Sequence, residues 1–236
     1  MTDTTTTTQS GAGIDRLFKA GAHFAQVKSR RHPSMRAFVL GAKGSLEIFD
    51  LAKTDEQLAK AKQTIAAFSR DGKIVLFVGG KREASDAVRE IGKRLGQPFI
   101  AGRWLGGTLT NFTEIKKRID RLADLTAKRE SGELSKIYTK LERIYIDREI
   151  ARLEERLEGI KTLARRPDLI VIVDTKHEAH ASREAKLTKI PVIGIMSSDC
   201  DVKDAAYPIV TNDASRAALS LILGELGEAF ESGYKA

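Results

Sequence analysis

The chain has 236 residues, 42% of them apolar, enough for one domain with an insertion or for two small domains. Its 40 basic and 32 acidic residues give a net charge of +8, concentrated in residues 1–166, which favours a polyanionic partner such as nucleic acid. A single cysteine excludes an internal disulfide, and no apolar run reaches the length of a membrane span, so we expect a cytoplasmic protein without a membrane partner.

The N-terminal third begins with a threonine-rich run, MTDTTTTTQSGAG, that is predicted to be a disordered polar tail covering residues 1–13. A short helix ending near Gly21 is expected next. After a cationic stretch, VKSRRHPSMRAF, two short strands are predicted around the turn Ala42-Lys43-Gly44. The following helix is predicted to open at Thr54, with Gln57 completing a capping box.

Short apolar runs that alternate with amphipathic helices predict a parallel sheet of about five strands with helices on both faces, a doubly wound α/β domain. The last helix is expected to follow a cap made by Asn212 and Asp213. The domain is predicted to comprise residues 14–112 and 163–230, followed by a C-terminal tail at 231–236. The predicted strands lie in KIVLFVGG (73–80), PFIAG (98–102), PDLIVIVDT (167–175), PVIGIMSS (191–198) and YPIV (207–210).

Residues 113–162 interrupt this alternation with two charged segments that each carry a narrow apolar stripe at heptad spacing. The stripes are separated by Glu130-Ser131-Gly132-Glu133, which predicts a turn. An inserted antiparallel coiled-coil hairpin is the favoured interpretation, because so narrow a stripe suits a partner helix. Two long helices that pack on the sheet are the alternative. The stripes consist of Ile115, Ile119, Leu122 and Thr126, and of Ile146, Ile150, Leu153, Leu157 and Ile160.

The stretch GRWLGGTLTNF, residues 102–112, holds the only tryptophan beside an arginine and two adjacent glycines. An indole and a guanidinium can stack on bases and contact phosphate, and the glycines let another backbone approach closely. The polar groups of Thr108, Thr110 and Asn111 can bind phosphate or sugar oxygens, and Asn111 can instead cap the next helix. Two interpretations stay open: a packed hinge with Trp104 in the core, or a hinge that also contacts RNA.

Catalytic patterns are incomplete in this sequence. Gly79-Gly80-Lys81 lacks the spacing of a phosphate-binding loop, although its free amides before a helix can still hold one phosphate. A nucleotide-dependent or phosphosugar-binding enzyme is therefore kept as the alternative function. His177-Glu178-Ala179-His180 lacks the spacing of a two-histidine metal site, and neither Asp174 nor Cys200 has a catalytic partner nearby in sequence. We predict no catalytic residue, no metal and no cofactor.

Six motifs in order and at matching spacing resemble the bacterial small-subunit ribosomal protein two family across about residues 14–230. They are GRWLGGTLTNF, GAHFAQVKSRRHPSMRAFVLGAKGSLEIFDL, KIVLFVGGKREA, PDLIVIVDTKHEAHASREA, IPVIGIMSSDCD and YPIVTNDASRA. The chain departs from the family pattern where Ala25 and Gln26 replace Gly-His, where His32 precedes the proline in place of Trp-Asn, and where Val202 replaces a proline.

The resemblance implies a flavodoxin-like domain with a coiled-coil hairpin, and a structural ribosomal protein that is not an enzyme. It implies binding to small-subunit ribosomal RNA near the junction of head and body, and recruitment of small-subunit protein one, the mRNA-binding component. Neighbouring ribosomal proteins are further expected partners, and no homo-oligomer is expected. A coiled-coil adaptor that binds only proteins is a third interpretation. The residues expected to contact RNA are Lys28, Arg30, Arg31, Arg36, Lys43, Lys81, Arg82, Arg103, Trp104, Thr108, Thr110, Asn111, Lys116 and Lys117.

Overall fold

The computed structural model describes residues 4–234, with side chains for residues 12–134 and 137–234. It begins with helix α1 (Thr4–Lys19), so a helix stands where most of the disordered tail was predicted. The remainder of that tail, residues 1–3, lies outside the described residues. Leu17 is buried in the core and Ile14 packs against it. The threonine run gave no sign that the C-terminal end of α1 packs into the core.

A small antiparallel sheet follows, made of β1 (Phe24–Val27), β2 (Val39–Lys43) and β3 (Leu46–Phe49), with β3 in the centre. The predicted pair of strands around Ala42-Lys43-Gly44 is confirmed, and the turn uses Gly44 at a φ of +63°, where glycine is favoured. Strand β1 was not predicted. Two 3₁₀ turns carry the chain from β1 to β2, at Lys28–Arg30 and Pro33–Phe38.

The predicted parallel sheet is confirmed, with five strands in the order β5-β4-β6-β7-β8. Every neighbouring pair in it is parallel. Strands β4, β6 and β7 are buried along their whole length, as the continuous apolar runs predicted. The five strands are β4 (Val75–Val78), β5 (Phe99–Ile100), β6 (Leu169–Val173), β7 (Val192–Met196) and β8 (Tyr207–Val210).

Helices cover both faces of this sheet, which makes the fold doubly wound and flavodoxin-like. Successive residues of β4 alternate between two buried clusters, so Val75 and Phe77 face one layer while Leu76 and Val78 face the other. The first layer contains α2 (Leu51–Arg70), α3 (Arg82–Leu95) and α8 (Arg216–Tyr234). The second contains α7 (Ala179–Leu187) and the base of the insertion. Of the predicted C-terminal tail at 231–236, residues 231–234 belong to α8, and the last two lie outside the described residues.

Two predicted helix starts were wrong. Helix α2 begins at Leu51, and the carboxylate of Asp50 accepts a hydrogen bond from the Ala52 amide, so Thr54 lies within the helix. The Thr54 hydroxyl is buried and donates to the Val210 carbonyl at 2.7 Å. Before α8, Ser215 Oγ accepts from the Ala218 amide at 3.3 Å. The side chains of Thr54 and Asp213 thus bind partners distant in sequence, whereas Asn212 Oδ1 accepts a local hydrogen bond from the Ala214 amide at 3.0 Å.

The insertion between β5 and β6 forms the predicted helical hairpin, with α4 (Phe112–Glu130) and α6 (Lys140–Leu157) packed against each other. Ile119 and Ile150, one from each stripe, are buried in the same cluster. The base of the hairpin also packs on the sheet, because that cluster contains Leu76 and Ile170. A short helix that was not predicted, α5 (Glu133–Ile137), lies at the tip after the predicted turn.

Candidate nucleic-acid interface

The loop from Gly102 to Phe112 wraps around one buried carboxylate, that of Glu184 in α7. The indole Nε1 of Trp104 donates to Glu184 Oε1 at 3.0 Å, and the Gly107 amide donates to the same oxygen at 2.8 Å. Glu184 Oε2 accepts from the amides of Leu109 and Thr110 at 3.0 and 3.1 Å, and from the Thr110 hydroxyl at 3.1 Å. Both carboxylate oxygens are therefore fully used inside the protein.

These contacts make Glu184 the residue that holds the loop in place. Burial by itself would raise the pKa of this carboxyl, but hydrogen bonds from Trp104, Leu109, Gly107 and Thr110 outweigh it and lower the pKa. Sequence reasoning missed Glu184, although one signal was present. In the helix it lies beside Ala181 and Ala185, on the face that small residues bury.

The polar residues of this loop serve the fold. Trp104 is buried, and Thr108 is buried with its hydroxyl donating to the Leu105 carbonyl at 2.6 Å. Thr110 is bound to Glu184 as described. Asn111 is exposed at the start of α4, but its side chain makes no capping hydrogen bond, so the predicted alternative role as a cap is wrong. The packed-hinge interpretation thus accounts for Trp104, Thr108 and Thr110.

The predicted cations fall into two groups. Seven of them are exposed, and their side chains have no ion pair or hydrogen bond within residues 12–134 and 137–234. Three others are paired with carboxylates: Arg31 with buried Glu47 at 2.6 Å, Lys117 with Glu114 at 2.7 Å, and Lys81 with two aspartates. The free exposed cations are Lys28, Arg30, Arg36, Lys43, Arg82, Arg103 and Lys116.

Most of the free cations lie near the edge at which the parallel strands end, here called the carboxyl edge. Arg82 follows β4 and Arg103 follows β5. The segment 28–36 is fastened to the same edge, because the His32 amide donates to the carbonyl of Ser198, just after β7, at 2.8 Å. Five of the seven free cations are therefore brought to one side of the sheet from three separate parts of the chain.

Lys81 sits at the centre of a buried ionic cluster on this edge. Its Nζ is 3.1 Å from Asp174 Oδ2 and 2.9 Å from Asp213 Oδ2. Burial lowers the pKa of Lys81, but hydrogen bonds and charge from Asp213 and Asp174 outweigh it and raise the pKa. Burial and the Asp174 charge raise the pKa of Asp213 to about 6. Lys81 is therefore committed to two internal partners.

The contacts around Gly79 and Gly80 explain the pair of glycines that resembled a phosphate-binding loop. The Gly80 amide donates to buried Glu178 Oε1 at 3.1 Å. A Cβ on Gly80 would lie 2.5 Å from the Gly102 carbonyl oxygen, and one on Gly79 would lie 2.9 Å from Val88. Close packing requires both glycines. A phosphate at this turn would meet the carboxylates of Glu178, Asp174 and Asp213, which repel it.

An exposed aromatic stack was missed by sequence reasoning. The rings of Phe18 and His23 are 4.4 Å apart between centroids and nearly parallel, and His23 lies 4.0 Å from Phe24. Phe18 is 58% exposed and Phe24 is 41% exposed. Burial, and then the nearby charge of Lys43, lower the pKa of His23. The three rings are close in the sequence, but their stacking depends on the turn between α1 and β1.

Cys200 is buried in the turn after β7, with its sulfur 3.6 Å from Asp174 Oδ1. Burial and the Asp174 charge raise the pKa of its thiol to about 12. Across the described part of the chain, no three His, Cys, Asp or Glu side chains come together in a way that could hold a metal ion. Between residues 4 and 234, no helix combines the length and hydropathy that crossing a bilayer requires.

Comparison with known proteins agrees with this architecture. The family described as "Ribosomal protein S2" matches residues 17–233. The small ribosomal subunit protein uS2 of Coprothermobacter proteolyticus is 38% identical over 220 residues, covering 93% of this chain and 82% of that protein. The uS2c protein of Rhodomonas salina is 37% identical, covering 92% and 89%. The uS2 protein of Synechococcus sp. (strain CC9902) is also 37% identical, covering 93% and 92%. The chain therefore belongs to the ribosomal protein S2 family.

Proposed function

We propose that this protein is a non-catalytic, structural component of the small ribosomal subunit and binds small-subunit ribosomal RNA. Family membership supports the ribosomal role. The observation that supports RNA binding is the group of seven exposed cations without internal partners, most of them near the carboxyl edge. Guanidinium and ammonium groups that are not neutralised within the protein are available to phosphates. Trp104, Thr108, Thr110, Arg31 and Lys81 are left out of this interface, because their polar groups are used internally.

The internal ionic cluster argues against the alternative of a nucleotide-dependent or phosphosugar-binding enzyme. In an open doubly wound sheet, ligands bind beyond the carboxyl ends of the strands where the strand order reverses, which here is between β4 and β6. Asp174 and Lys81 fill that position as an ion pair, and Glu178 there accepts a hydrogen bond from the Gly80 amide. We therefore expect no stabilisation of several degrees in a thermal shift assay with nucleotides or sugar phosphates.

Salt-dependent binding to small-subunit ribosomal RNA tests the proposal. Replacing Arg30, Arg36 and Arg82 together by glutamine should reduce affinity, and should lower the slope of log K against log salt by about 2–3 if each contacts one phosphate. The matched control replaces Lys60, Arg70 and Lys186, which are equally exposed but lie on other helices. Equal losses in both triple variants would mean that only net charge matters, and would contradict a defined interface.

The finer assignments are also proposals, supported by family membership. We infer that the protein works in the cytoplasm as part of the ribosome, contacts neighbouring ribosomal proteins, and helps recruit small-subunit protein one. It is expected to be monomeric outside the particle. Small subunits that lack this chain should retain less protein one after sedimentation, and adding the purified chain should restore it. Full retention without the chain would contradict the recruiting role.

A further inference from the structure

A cleft of about 710 Å³ lies where the hairpin meets the α/β body. One wall is the loop after β5, including Gly102, Arg103 and Gly106. The base of α6, including Glu155 and Arg156, forms another part of the lining. We call it the hairpin-base cleft. Its volume is within the range of about 300–1,000 Å³ that is usual for small-ligand sites.

The charges in this cleft are not balanced internally. Glu158 is neutralised by Lys93 at 3.1 Å and by Arg89 at 3.9 Å. The guanidinium groups of Arg103 and Arg156 have no hydrogen bond or ion pair among the described side chains. Two guanidinium groups in a concave site concentrate positive potential there, and their geometry suits the oxygens of a phosphate. With the unpaired Glu155 also counted, the unpaired side chains of the cleft still carry one net positive charge, which favours an anionic group.

The loop wall leaves backbone surface open to a ligand. A Cβ placed on Gly102 or Gly106 would have no heavy atom within 4 Å, so these positions leave open backbone surface. Partly exposed Leu105 contributes apolar surface to the same wall, whereas the indole of Trp104 is buried and its N–H is used by Glu184. Unstacked RNA bases are commonly held between aromatic or apolar surfaces and guanidinium planes. Phosphate binding and ring stacking are therefore both available in a single cavity.

The one unpaired acid in the cleft gives a base preference. Glu155 has no hydrogen bond or ion pair among the described side chains. An ionised carboxylate only accepts hydrogen bonds, and guanine presents two neighbouring N–H donors on its Watson–Crick edge while uracil presents one. An ionised Glu155 carboxylate in contact with the base edge would therefore favour guanine over uracil.

From these observations we propose that the hairpin-base cleft holds one unpaired nucleotide of RNA, with Arg103 and Arg156 on its phosphate and Glu155 on its base edge. This inference rests on the proposed function, since it names the part of the RNA that one region of the surface recognises. A paired nucleotide cannot enter, because its Watson–Crick edge is occupied and it remains in the stack. The cleft therefore distinguishes a bulge or loop from a duplex.

Fluorescence of Trp104 gives a direct test, because it is the only tryptophan and lines the cleft. We expect guanine-containing single-stranded RNA of about five nucleotides to change its emission in a saturable way. The same strand in a duplex, and free guanosine monophosphate, should require at least about tenfold higher concentration. The double variant Arg103→Gln, Arg156→Gln should weaken binding of the single strand by about tenfold or more, whereas Arg70→Gln, Lys186→Gln should leave it unchanged.

The base preference is tested separately. The wild type should bind a guanine-containing strand about tenfold more tightly than the uracil strand of equal length, and Glu155→Gln should reduce this ratio. No emission change with any single strand, or equal binding of the duplex, overturns the cleft proposal. Binding of the free nucleotide as tightly as the strand also overturns it, in favour of a soluble nucleotide. The salt titration of ribosomal RNA binding is measured on the same proteins. If they still bind ribosomal RNA, only the cleft proposal is overturned and the proposed function stands.

Discussion

The contact between Glu184 and the Gly102–Phe112 loop can be tested with the substitution Glu184→Gln. The amide keeps one acceptor oxygen. If that oxygen faces the donors of Leu109 and Thr110, the NH₂ group faces Trp104 Nε1 and the Gly107 amide, which lie 3.0 and 2.8 Å from the present oxygen. Two donors then lose their acceptor, at about 1–3 kcal/mol each. A neutral amide is less costly to bury than a carboxylate, so we expect a net loss of roughly 2–3 kcal/mol in the free energy of unfolding.

Urea denaturation followed by circular dichroism and by Trp104 emission measures this loss. The substitution Glu228→Gln is the control, since Glu228 is exposed on α8 and has no partner among the described residues. Hydrogen bonds lower the pKa of Glu184, so its contribution to stability is present above the ordinary value of 4.5 and is lost as pH falls through the folded pKa. The difference between wild type and Glu184→Gln should therefore shrink in acid. Identical midpoints for the two proteins at neutral pH would refute the assigned role.

Three further predictions concern other buried groups. Cys200, whose pKa is raised to about 12, should resist alkylation at about pH 8 in the folded protein and react after unfolding; rapid native reaction would contradict its burial. The pKa of Asp213 is raised to about 6, so its ionisation destabilises the folded wild type as pH rises from about 4 to about 7. The free energy of unfolding of Asp213→Asn should therefore increase relative to that of wild type, by up to about 3 kcal/mol over this range. A constant difference between the two proteins in denaturation curves at each pH would contradict this. Gly159→Ala places a methyl group against the Phe99 carbonyl and should destabilise by about 1–3 kcal/mol, whereas Gly224→Ala, with open space, should be neutral or stabilising. Thermal unfolding of this pair decides the last point, and equal behaviour would count against the packing at β5.

The sheet and the hairpin could be predicted from the sequence because both depend on local patterns of hydrophobicity. The residues of β6 are apolar at every position, and only a strand buried on both faces needs such a run. The stripe through Ile115 and Ile119 had the period of a helix packed on a narrow partner. Strand β1 lacked a comparable signal, since only Ala25 in it is buried.

The site was harder to predict because its decisive contacts are distant in sequence. Trp104 and Glu184 are separated by 80 residues, and Lys81 and Asp213 by 132. Nothing in the local sequence around Trp104 shows whether the indole N–H has a partner inside the protein. Exposed cations such as Arg36 and Arg82 were easier to identify, because an isolated charged side chain needs no particular partner to stay at the surface.

The two segments that lead into and out of the insertion run side by side. Arg166, just after it, donates through its guanidinium to the carbonyl of Thr110, just before it, at 3.4 Å. An appendage grafted at adjacent points can be lengthened, shortened or replaced without altering the path of the strands beneath it. The length of the hairpin can therefore change between relatives while the α/β domain stays constant.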